Sequence, residues 1–209
     1  MTDSNTDRLF SEVRHLAADA GFSVIVSSGA RKISPGQDGF GPGNIVTTLH
    51  RDDQMLLHSL MAHQDAGSAL AQYYMVGQQQ YHAISQIISY AHLERRGLRF
   101  LDFACGFGRA LRYLHCCNPE MKLFASEIQT DALDFLAQTI DVETIPSEIQ
   151  PEEFQPEGKF DLIWVASLFS HLPDHLFTRW LARLVSILSD DGVLCFSAKG
   201  VPPEEQGKL

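Results

Sequence analysis

The pattern of apolar and polar positions changes character at about residue 98. Beyond that point, short apolar runs alternate with stretches in which apolar residues recur at helical spacing. The apolar runs predict strands at residues 100–103, 123–126, 142–145, 160–165 and 193–197. The stretches between them predict helices at residues 109–116, 130–138 and 175–188. Such alternation is typical of an α/β fold with a mostly parallel sheet and helices on both faces.

The first 98 residues are organised differently, and most of them are helical in pattern. Three elements are predicted at the start, namely an amphipathic helix at 6–20, a short strand at 22–26 and a Gly-, Ser- and Pro-rich loop at 27–44. A helical pattern follows, capped by Asp52 or Asp53 and divided into about three pieces by Gly67 and Gly77. We therefore predict three parts, which are an N-terminal appendage and loop (1–50), a helical cap (51–98) and a ligand-binding α/β domain (99–209).

Composition and charge narrow the classes of function. The 209 residues carry a formal net charge of −10 and contain no Lys/Arg cluster, which argues against nucleic acid or an anionic membrane as a partner. No apolar run approaches the roughly 18 residues that span a bilayer. The N-terminal sequence MTDSNTDRLF lacks the basic and apolar regions of a signal peptide. We therefore expect a cytoplasmic protein whose four cysteines form no disulfide framework.

The stretch FLDFACGFGR, residues 100–109, carries the most information about function. An apolar run that contains Asp102 passes into a small-residue turn with Gly106 and Gly108, and then into a helical pattern. This order presents a helix N-terminus to a nucleotide-like ligand, because glycine lets the backbone turn sharply and touch the ligand. Leu111 stands where a dinucleotide fingerprint has its third glycine, and Asp102 would repel a pyrophosphate. The turn therefore favours a positively charged nucleoside, such as S-adenosylmethionine, over NAD.

Three later segments agree with this interpretation. Glu127 ends the run KLFASE about 20 residues after the turn, where an acid grips the ribose hydroxyls of a bound nucleoside. The segment FDLIWVASLFSHLPD begins a buried strand at Asp161 and turns at residues 167–171, at the edge where open α/β sheets bind ligands. The segment LVSILSDDGVLCFS predicts a helix, an Asp-Gly turn at Gly192 and a final apolar strand.

Taken in order, these four segments resemble the class I S-adenosylmethionine-dependent methyltransferases. The matching residues, over about 98–197, are FLDFACGFGR, KLFASEIQ, FDLIWVASLFSHLPD and LSDDGVLCFS. The resemblance implies a Rossmann-like fold, S-adenosylmethionine as cofactor, and methyl transfer to a small-molecule or glycan-like acceptor. The sequence departs from the family pattern at Ala104, where a first glycine is usual. The sixth and seventh strands of the family fold are expected to be missing after Ser197, so either the gene is longer or the sheet has five strands and an exposed edge.

The resemblance also implies a role for each matching position. The residues expected to bind the cofactor are Tyr74, Asp102, Ala104, Cys105, Gly106, Gly108, Glu127, Ile128, Ser147, Ser167 and Leu168. Among them, Asp102 would hold the methionine ammonium group and Glu127 the ribose hydroxyls. The adenine would lie against Ile128 and would meet either Ser147 or Glu148 through its amino group.

Methyl transfer from a sulfonium needs an aligned acceptor and the exclusion of water, and it needs a base only where the acceptor must lose a proton. His171, after the fourth predicted strand, is the candidate base, and a structural role such as capping the next helix fits it equally well. The resemblance implies that Tyr74 closes over the cofactor from the preceding helices. No metal site is expected. The alternative function is a cofactor-binding or interaction module of the same fold without catalysis. The uncapped sheet edge favours a homo-oligomer.

Overall fold

The computed structural model describes residues 7–9, 11–12, 24–25 and 45–198. Two short strands, β1 (Val24–Ile25) and β2 (Leu49–His50), pair in parallel. Five further strands form the central sheet, and they are β3 (Arg99–Phe103), β4 (Lys122–Glu127), β5 (Glu143–Pro146), β6 (Phe160–Val165) and β7 (Leu188–Phe196). Their order is β5-β4-β3-β6-β7, and every neighbouring pair is parallel. The predicted α/β fold with a mostly parallel sheet is therefore confirmed.

Helices cover both faces of this sheet. In the described part of the chain they include α1 (Gln54–His63), α2 (Ala66–Tyr90), α3 (Leu111–Cys117), α4 (Thr130–Thr139) and α5 (Asp174–Ser186), and residues 7–9 and 11–12 are also helical. One face packs against α2, α3 and α4 in a core that contains Ile84, Phe100, Leu114, Leu136 and Leu162. The opposite face packs against α5 in a core that contains Phe103, Ile163 and Trp180. No helix in the described ranges is both long and apolar enough to cross a membrane.

The cap helices do not break where the sequence pattern predicts. Asp53 caps α1 by accepting hydrogen bonds from two backbone N–H groups of its first turn, and Asp65 caps α2. The break therefore falls just before Asp65, whereas Gly67 and Gly77 both lie inside α2. The predicted division at these two glycines is wrong. At Gly77 the missing side chain serves close packing, because a Cβ would lie only 2.6 Å from the carbonyl oxygen of Arg109.

The last strand starts earlier than predicted and is irregular. Leu188 pairs with Phe160, and the regular pairing resumes at Val193 opposite Leu162. Residues 189–192 form a bulge between these two points, which is where the Asp-Gly turn at Gly192 is predicted. β7 lies at the edge of the sheet in the described part of the chain.

A buried polar network joins the cap helices to the rest of the fold. Arg112 is fully buried and donates hydrogen bonds to the carbonyl oxygen of Val46 at 2.7 Å and to the hydroxyl of Tyr73 at 3.2 Å. Tyr73 in turn donates to Oδ2 of Asp53 at 2.5 Å. The guanidinium also reaches the carbonyl oxygen of Phe107, in the turn after β3, at 3.5 Å. The network therefore ties α1 and α2 to the segment that follows β3.

Replacing Gly77 by Ala tests the close contact between α2 and the α/β part. The new methyl group would lie 2.6 Å from the Arg109 carbonyl oxygen and 2.9 Å from Cε2 of Tyr113, so α2 would have to move. We expect the free energy of unfolding to fall by about 1–3 kcal/mol in urea. Gly67→Ala is the matched control in the same helix, because the nearest atom to its Cβ lies at 3.5 Å. The control should be neutral or slightly stabilising, and equal effects of the two substitutions would contradict the contact.

Candidate active site

The segment between β3 and α3 forms a tight turn with a left-handed backbone at three positions. The φ angles are 58° at Ala104, 55° at Gly106 and 71° at Gly108. At Gly108, a Cβ would also lie 2.4 Å from Cδ2 of Leu136, so a larger residue would be both strained and crowded. Ala104 adopts this conformation at a cost of about 1–2 kcal/mol. Alanine at position 104, where the family pattern has glycine, therefore still adopts the left-handed conformation of the turn.

Asp102 lies at the base of this turn, buried in β3. Its neighbours across the sheet are Ala125 in β4 and Trp164 in β6. Burial, followed by the negative charge of Glu127, raises the pKa of Asp102 to about 8, and the positive charge of Arg109 opposes this shift. A cationic ligand would favour the ionised carboxylate, so this environment is suited to an ammonium group.

Glu127 ends β4 and is held by backbone N–H groups. Its Oε2 accepts a hydrogen bond from the N–H of Gly106 at 2.8 Å. Its Oε1 accepts from Ile128 at 2.7 Å and from Gln129 at 3.3 Å. The carboxylate has about four lone-pair sites, so Oε2 keeps an acceptor site for a ligand hydroxyl. The bond to Gly106 also joins the end of β4 to the glycine turn.

Both acidic side chains line one cleft above the carboxyl ends of β3, β4 and β6. The cleft encloses about 780 Å³ of space, including the part open to solvent. Its lining residues are Asp53, Gln54, Met55, Gln80, Asp102, Ala104, Cys105, Gly106, Phe107, Arg109, Ala110, Glu127, Gln129, Trp164, Ala166 and Ser167. The strand order reverses between β3 and β6. The cleft therefore lies at the switch point where open α/β sheets bind ligands.

Several residues predicted to bind the cofactor line this cleft together. They are Asp102, Ala104, Cys105, Gly106, Glu127 and Ser167, while Gly108 shapes the turn behind them. Burial raises the pKa of the Cys105 thiol well above its usual value, so this group is a protonated thiol at neutral pH. Ser167 has a φ of 65°, and its N–H donates to Oγ of Ser197 at 2.7 Å.

The other predicted residues lie outside the cleft lining. Tyr74 donates its hydroxyl to a backbone carbonyl oxygen just before β2 at 2.8 Å, so the structure does not place it over the cleft. Leu168 packs against the core on the opposite face of the sheet. Ile128 is 54% exposed, and the backbone N–H of Ser147 donates to the carbonyl oxygen of Glu127. Ile128 and Ser147 thus flank the end of β4, where contact with an adenine stays a prediction.

His171 lies in the turn after β6 with its side chain exposed. Its backbone N–H donates to the carbonyl oxygen of Leu168 at 2.9 Å, and its side chain is not part of the cleft lining. The N-cap of α5 is Pro173, so His171 does not cap that helix. Its role as a base stays a prediction. Across the ranges that the structure describes, no three His, Cys, Asp or Glu side chains are grouped to hold a metal ion.

Among the polar side chains that line the cleft but were not predicted from the sequence are Arg109, Trp164, Gln54, Gln80 and Gln129. Arg109 directly follows the glycine turn, and Trp164 lies near the carboxyl end of a buried strand, so both positions offered a signal. The relation of Trp164 to Asp102 was not visible, because it depends on the register between β3 and β6.

Comparison with known families gives a match over this part of the chain. The family described as "Methyltransferase domain" matches residues 101–194, which run from β3 into β7. This segment is therefore similar to a methyltransferase domain. The resemblance found in the sequence analysis is therefore confirmed. Comparison with curated proteins finds no match.

Solved structures share the fold of the methyltransferase domain. One is SAM-bound CalS10, an amino pentose methyltransferase from Micromonospora echinaspora, with 18% identity, a TM-score of 0.52, and coverage of 60% of this chain and 52% of that one. Another is the plantazolicin methyltransferase BpumL in complex with a monoazolic desmethylPZN analog and SAH. It has 18% identity and a TM-score of 0.51, and the match covers 70% of this chain and 58% of that one. The matched part of these structures is thus little more than half of their length.

The methyltransferase domain implies S-adenosylmethionine as cofactor, in agreement with the sequence prediction. The residues of the cleft fit this group. The carboxyl group of Asp102 could take an ammonium group, and the open acceptor site on Glu127 could take a ribose hydroxyl.

Proposed function

We propose that the chain is an S-adenosylmethionine-dependent methyltransferase acting on a small-molecule or glycan-like acceptor. The observation that carries this proposal is the pair of acidic side chains at the glycine turn. Asp102 is buried at its base, and Glu127 is fixed beside it by the N–H of Gly106. The match to the methyltransferase domain covers all three residues.

The contribution of the chain to catalysis is orientation and the exclusion of water. When bound, S-adenosylmethionine supplies a methyl group attached to a sulfonium sulfur, and the sulfur leaves as part of a neutral thioether. Asp102 and Glu127, which line the cleft at the ends of β3 and β4, would hold the amino-acid and ribose ends of the ligand. Correct orientation alone supplies several kcal/mol of the barrier reduction. A proton acceptor is required only for acceptors that lose a proton.

We place the acceptor in the rest of the cleft, between the cap and the end of β6. That part is lined by Gln54, Met55 and Gln80 of the cap and by Ala166 and Ser167 after β6. Amide side chains both donate and accept hydrogen bonds, which suits the hydroxyl and amine groups of a sugar or a polar natural product. The two similar structures are an amino pentose methyltransferase and a plantazolicin methyltransferase, and their acceptors are therefore the first to test.

Glu127→Gln tests the proposed ribose contact while keeping the size of the side chain. One carboxylate oxygen becomes an NH₂ group, which is a donor facing backbone donors, so the ligand acceptor site and the link to Gly106 are weakened. We expect the affinity for S-adenosylhomocysteine to fall about tenfold or more, measured by calorimetric titration. Glu153→Gln makes the same change at an exposed position and should bind like the unchanged chain. Equal affinity of the Glu127 and Glu153 variants would contradict the assignment.

Turnover separates the proposed activity from a non-catalytic module. The chain is incubated with S-adenosylmethionine and a panel of amino sugars, hydroxylated sugars and azole-containing peptides, and S-adenosylhomocysteine is quantified with each. We expect its formation with at least one acceptor, together with a methylated product seen by mass spectrometry. Binding of the cofactor with no product from any acceptor would favour the non-catalytic alternative. His171→Ala in the same assay tests its role as a base, because a base affects turnover but not cofactor affinity.

A further inference from the structure

Asp53 belongs both to the cap and to the lining of the cleft. It is the N-cap of α1, it is only 2% exposed, and it lines the cleft next to Gln54 and Met55. Its Oδ1 accepts from the backbone N–H groups of Met55 at 2.9 Å and of Leu56 at 3.3 Å. Among the described residues, its Oδ2 accepts a single hydrogen bond, from the hydroxyl of Tyr73 at 2.5 Å. Because a carboxylate has about four lone-pair sites, Oδ2 keeps one acceptor site.

The carboxylate of Asp53 lies near the part of the cleft that is proposed to hold the cofactor. Burial lowers the pKa of Arg109, and the charges of Tyr73, Asp53 and Asp102 oppose this shift. Asp53 and Asp102 are thus both close to the same guanidinium, one from the cap and one from β3. A ligand atom beside Asp53 would therefore be close to a cofactor held by Asp102.

The charges of the lining favour a basic acceptor. Within the described ranges, the acidic side chains of the lining are Asp53, Asp102 and Glu127, and its basic side chain is Arg109. Asp102 and Glu127 are proposed to hold the cofactor, which leaves Asp53 for the acceptor. A carboxylate suits an amino group, because the amine N–H groups donate hydrogen bonds and a positive charge on the nitrogen strengthens them.

The lining also favours an acceptor that reacts without a proton acceptor. No histidine lines the cleft in the part of the chain that the structure describes. Burial raises the pKa of the Cys105 thiol well above its usual value, so this group does not act as a base. A hydroxyl must lose its proton to become a strong nucleophile, whereas a neutral amine attacks with its own lone pair.

An unpartnered donor in the same cleft points to a ligand that carries oxygen atoms. Trp164 lines the cleft and is only 8% exposed, and its indole Nε1–H has no acceptor among the described residues. A ligand oxygen that accepts from this buried donor would remove the cost of leaving it unsatisfied. The amide groups of Gln54 and Gln80 also suit hydroxyl groups. An amino alcohol, such as an amino sugar, offers an amino group together with hydroxyl oxygens.

We propose that Asp53 binds the amino group of the acceptor, so that the chain methylates the nitrogen of an amino alcohol such as an amino sugar. This inference rests on the proposed function, because it concerns the acceptor of the same reaction. The lone pair of the neutral amine forms the bond to the methyl carbon, and the electrons of the broken C–S bond go to sulfur. The positive charge thus moves from the sulfonium to an N-methylammonium group, where Asp53 stabilises it. The product loses its extra proton to water after release.

The test uses two sugars that differ only in this group, D-glucosamine and D-glucose. Each is titrated calorimetrically into the chain saturated with S-adenosylhomocysteine. The titrations are made at about pH 8, where the affinity for that ligand is expected to level off. A hydrogen bond to a charged group corresponds to about tenfold to hundredfold in affinity. We expect the unchanged chain to prefer D-glucosamine by a factor of this size.

Asp53→Asn keeps the cap of α1 and removes the acceptor site. Asn is as good an N-cap as Asp, while an NH₂ group takes the place of the Oδ2 that faces Tyr73. We expect a loss of about tenfold or more in affinity for D-glucosamine and of less than about twofold for D-glucose and for S-adenosylhomocysteine. Asp65→Asn is the matched control, because Asp65 is the exposed N-cap of α2 and does not line the cleft. The control should bind all three ligands like the unchanged chain.

Tyr73→Phe separates this role of Asp53 from a purely structural one. The variant removes the hydroxyl that donates to Oδ2, so the carboxylate stays and gains a second open acceptor site. The preference for D-glucosamine should therefore persist, although the buried network is weakened. Thermal unfolding without ligand reports whether each variant is folded. If Asp53→Asn is unfolded, the preferences of the unchanged chain and of Tyr73→Phe decide.

Three results would overturn this inference while leaving the proposed function intact. The first is that the unchanged chain, loaded with S-adenosylhomocysteine, binds D-glucosamine no more tightly than D-glucose. The second is that a folded Asp53→Asn keeps the preference, or that Tyr73→Phe loses it, as expected if the network only holds the cap in place. The third is that hydroxylated sugars are methylated in the acceptor panel and amino sugars are not. Failure of the unchanged chain to bind S-adenosylhomocysteine at all would overturn the proposed function as well.

Discussion

We expect the affinity for S-adenosylhomocysteine to rise about tenfold per pH unit between about pH 6 and 7.5 and to level off above about pH 8. The reason is the buried carboxyl group of Asp102, whose pKa of about 8 leaves it mostly protonated at neutral pH. The ligand ammonium favours the ionised form. Binding at neutral pH must therefore release close to one proton from this group.

The measurement is calorimetric titration across this pH range in buffers with different enthalpies of ionisation. Proton release then appears as a dependence of the binding enthalpy on the buffer. Asp102→Asn removes the titrating group, so its affinity should be lower at about pH 8 and nearly independent of pH below that value. An unchanged pH dependence in Asp102→Asn would contradict the role of Asp102.

The carboxyl group of Asp102 also makes the stability of the ligand-free chain depend on pH. The folded pKa of Asp102 lies above the ordinary value of 3.8, so the folded state binds more protons than the unfolded state between about pH 4 and 8. The contribution of Asp102 to stability is thus fully present at about pH 4 and is lost as the pH rises through about 8. Asp102→Asn should reduce this loss, as measured by urea unfolding at a series of pH values.

Arg112→Met is expected to produce the largest loss of stability among single substitutions considered for this chain. The variant leaves the carbonyl oxygen of Val46 and the Tyr73–Asp53 pair in a buried site without their cationic donor. Removing one partner from a buried charged network costs about 3–5 kcal/mol. The free energy of unfolding in urea should fall by this amount. The cap should also hold the ligand less well, because the network ties α1 and α2 to the glycine turn.

Arg179→Met is the matched control for this prediction. Arg179 donates to both carboxylate oxygens of Glu152, but the pair is exposed, so its loss should change stability little. Tyr73→Phe removes one link of the buried network and should have an intermediate effect. Equal stability of the Arg112 and Arg179 variants would show that the buried network does not hold the cap.

The sheet and the glycine turn were predictable because their signals are local. The alternation of apolar runs and helical spacing places β3, β4, β5 and β6 within one or two residues of their observed bounds. The turn was recognisable from Gly106 and Gly108, which adopt backbone angles that few other residues accept. Glu127 followed from its distance along the chain after the turn, and the structure joins it to Gly106.

What could not be predicted depends on contacts between distant segments. The hydroxyl of Tyr74, for which the resemblance implies a place over the cofactor, donates to a backbone carbonyl oxygen just before β2, a contact that the sequence pattern does not reveal. Gly77 looked like a helix break, although its role is to let α3 approach α2. Arg112, Tyr73 and Asp53 form one network although they are far apart in sequence. Trp164 gains its relation to Asp102 from strand register alone.

Titration of the chain with S-adenosylhomocysteine at about pH 8 tests the central claim most directly. We predict one site with micromolar affinity, corresponding to about −8 kcal/mol, and a loss of at least about tenfold in Glu127→Gln. Absence of binding by a sample shown to be folded would contradict the assignment of the cleft. Tight binding of NAD in place of S-adenosylhomocysteine would contradict it equally.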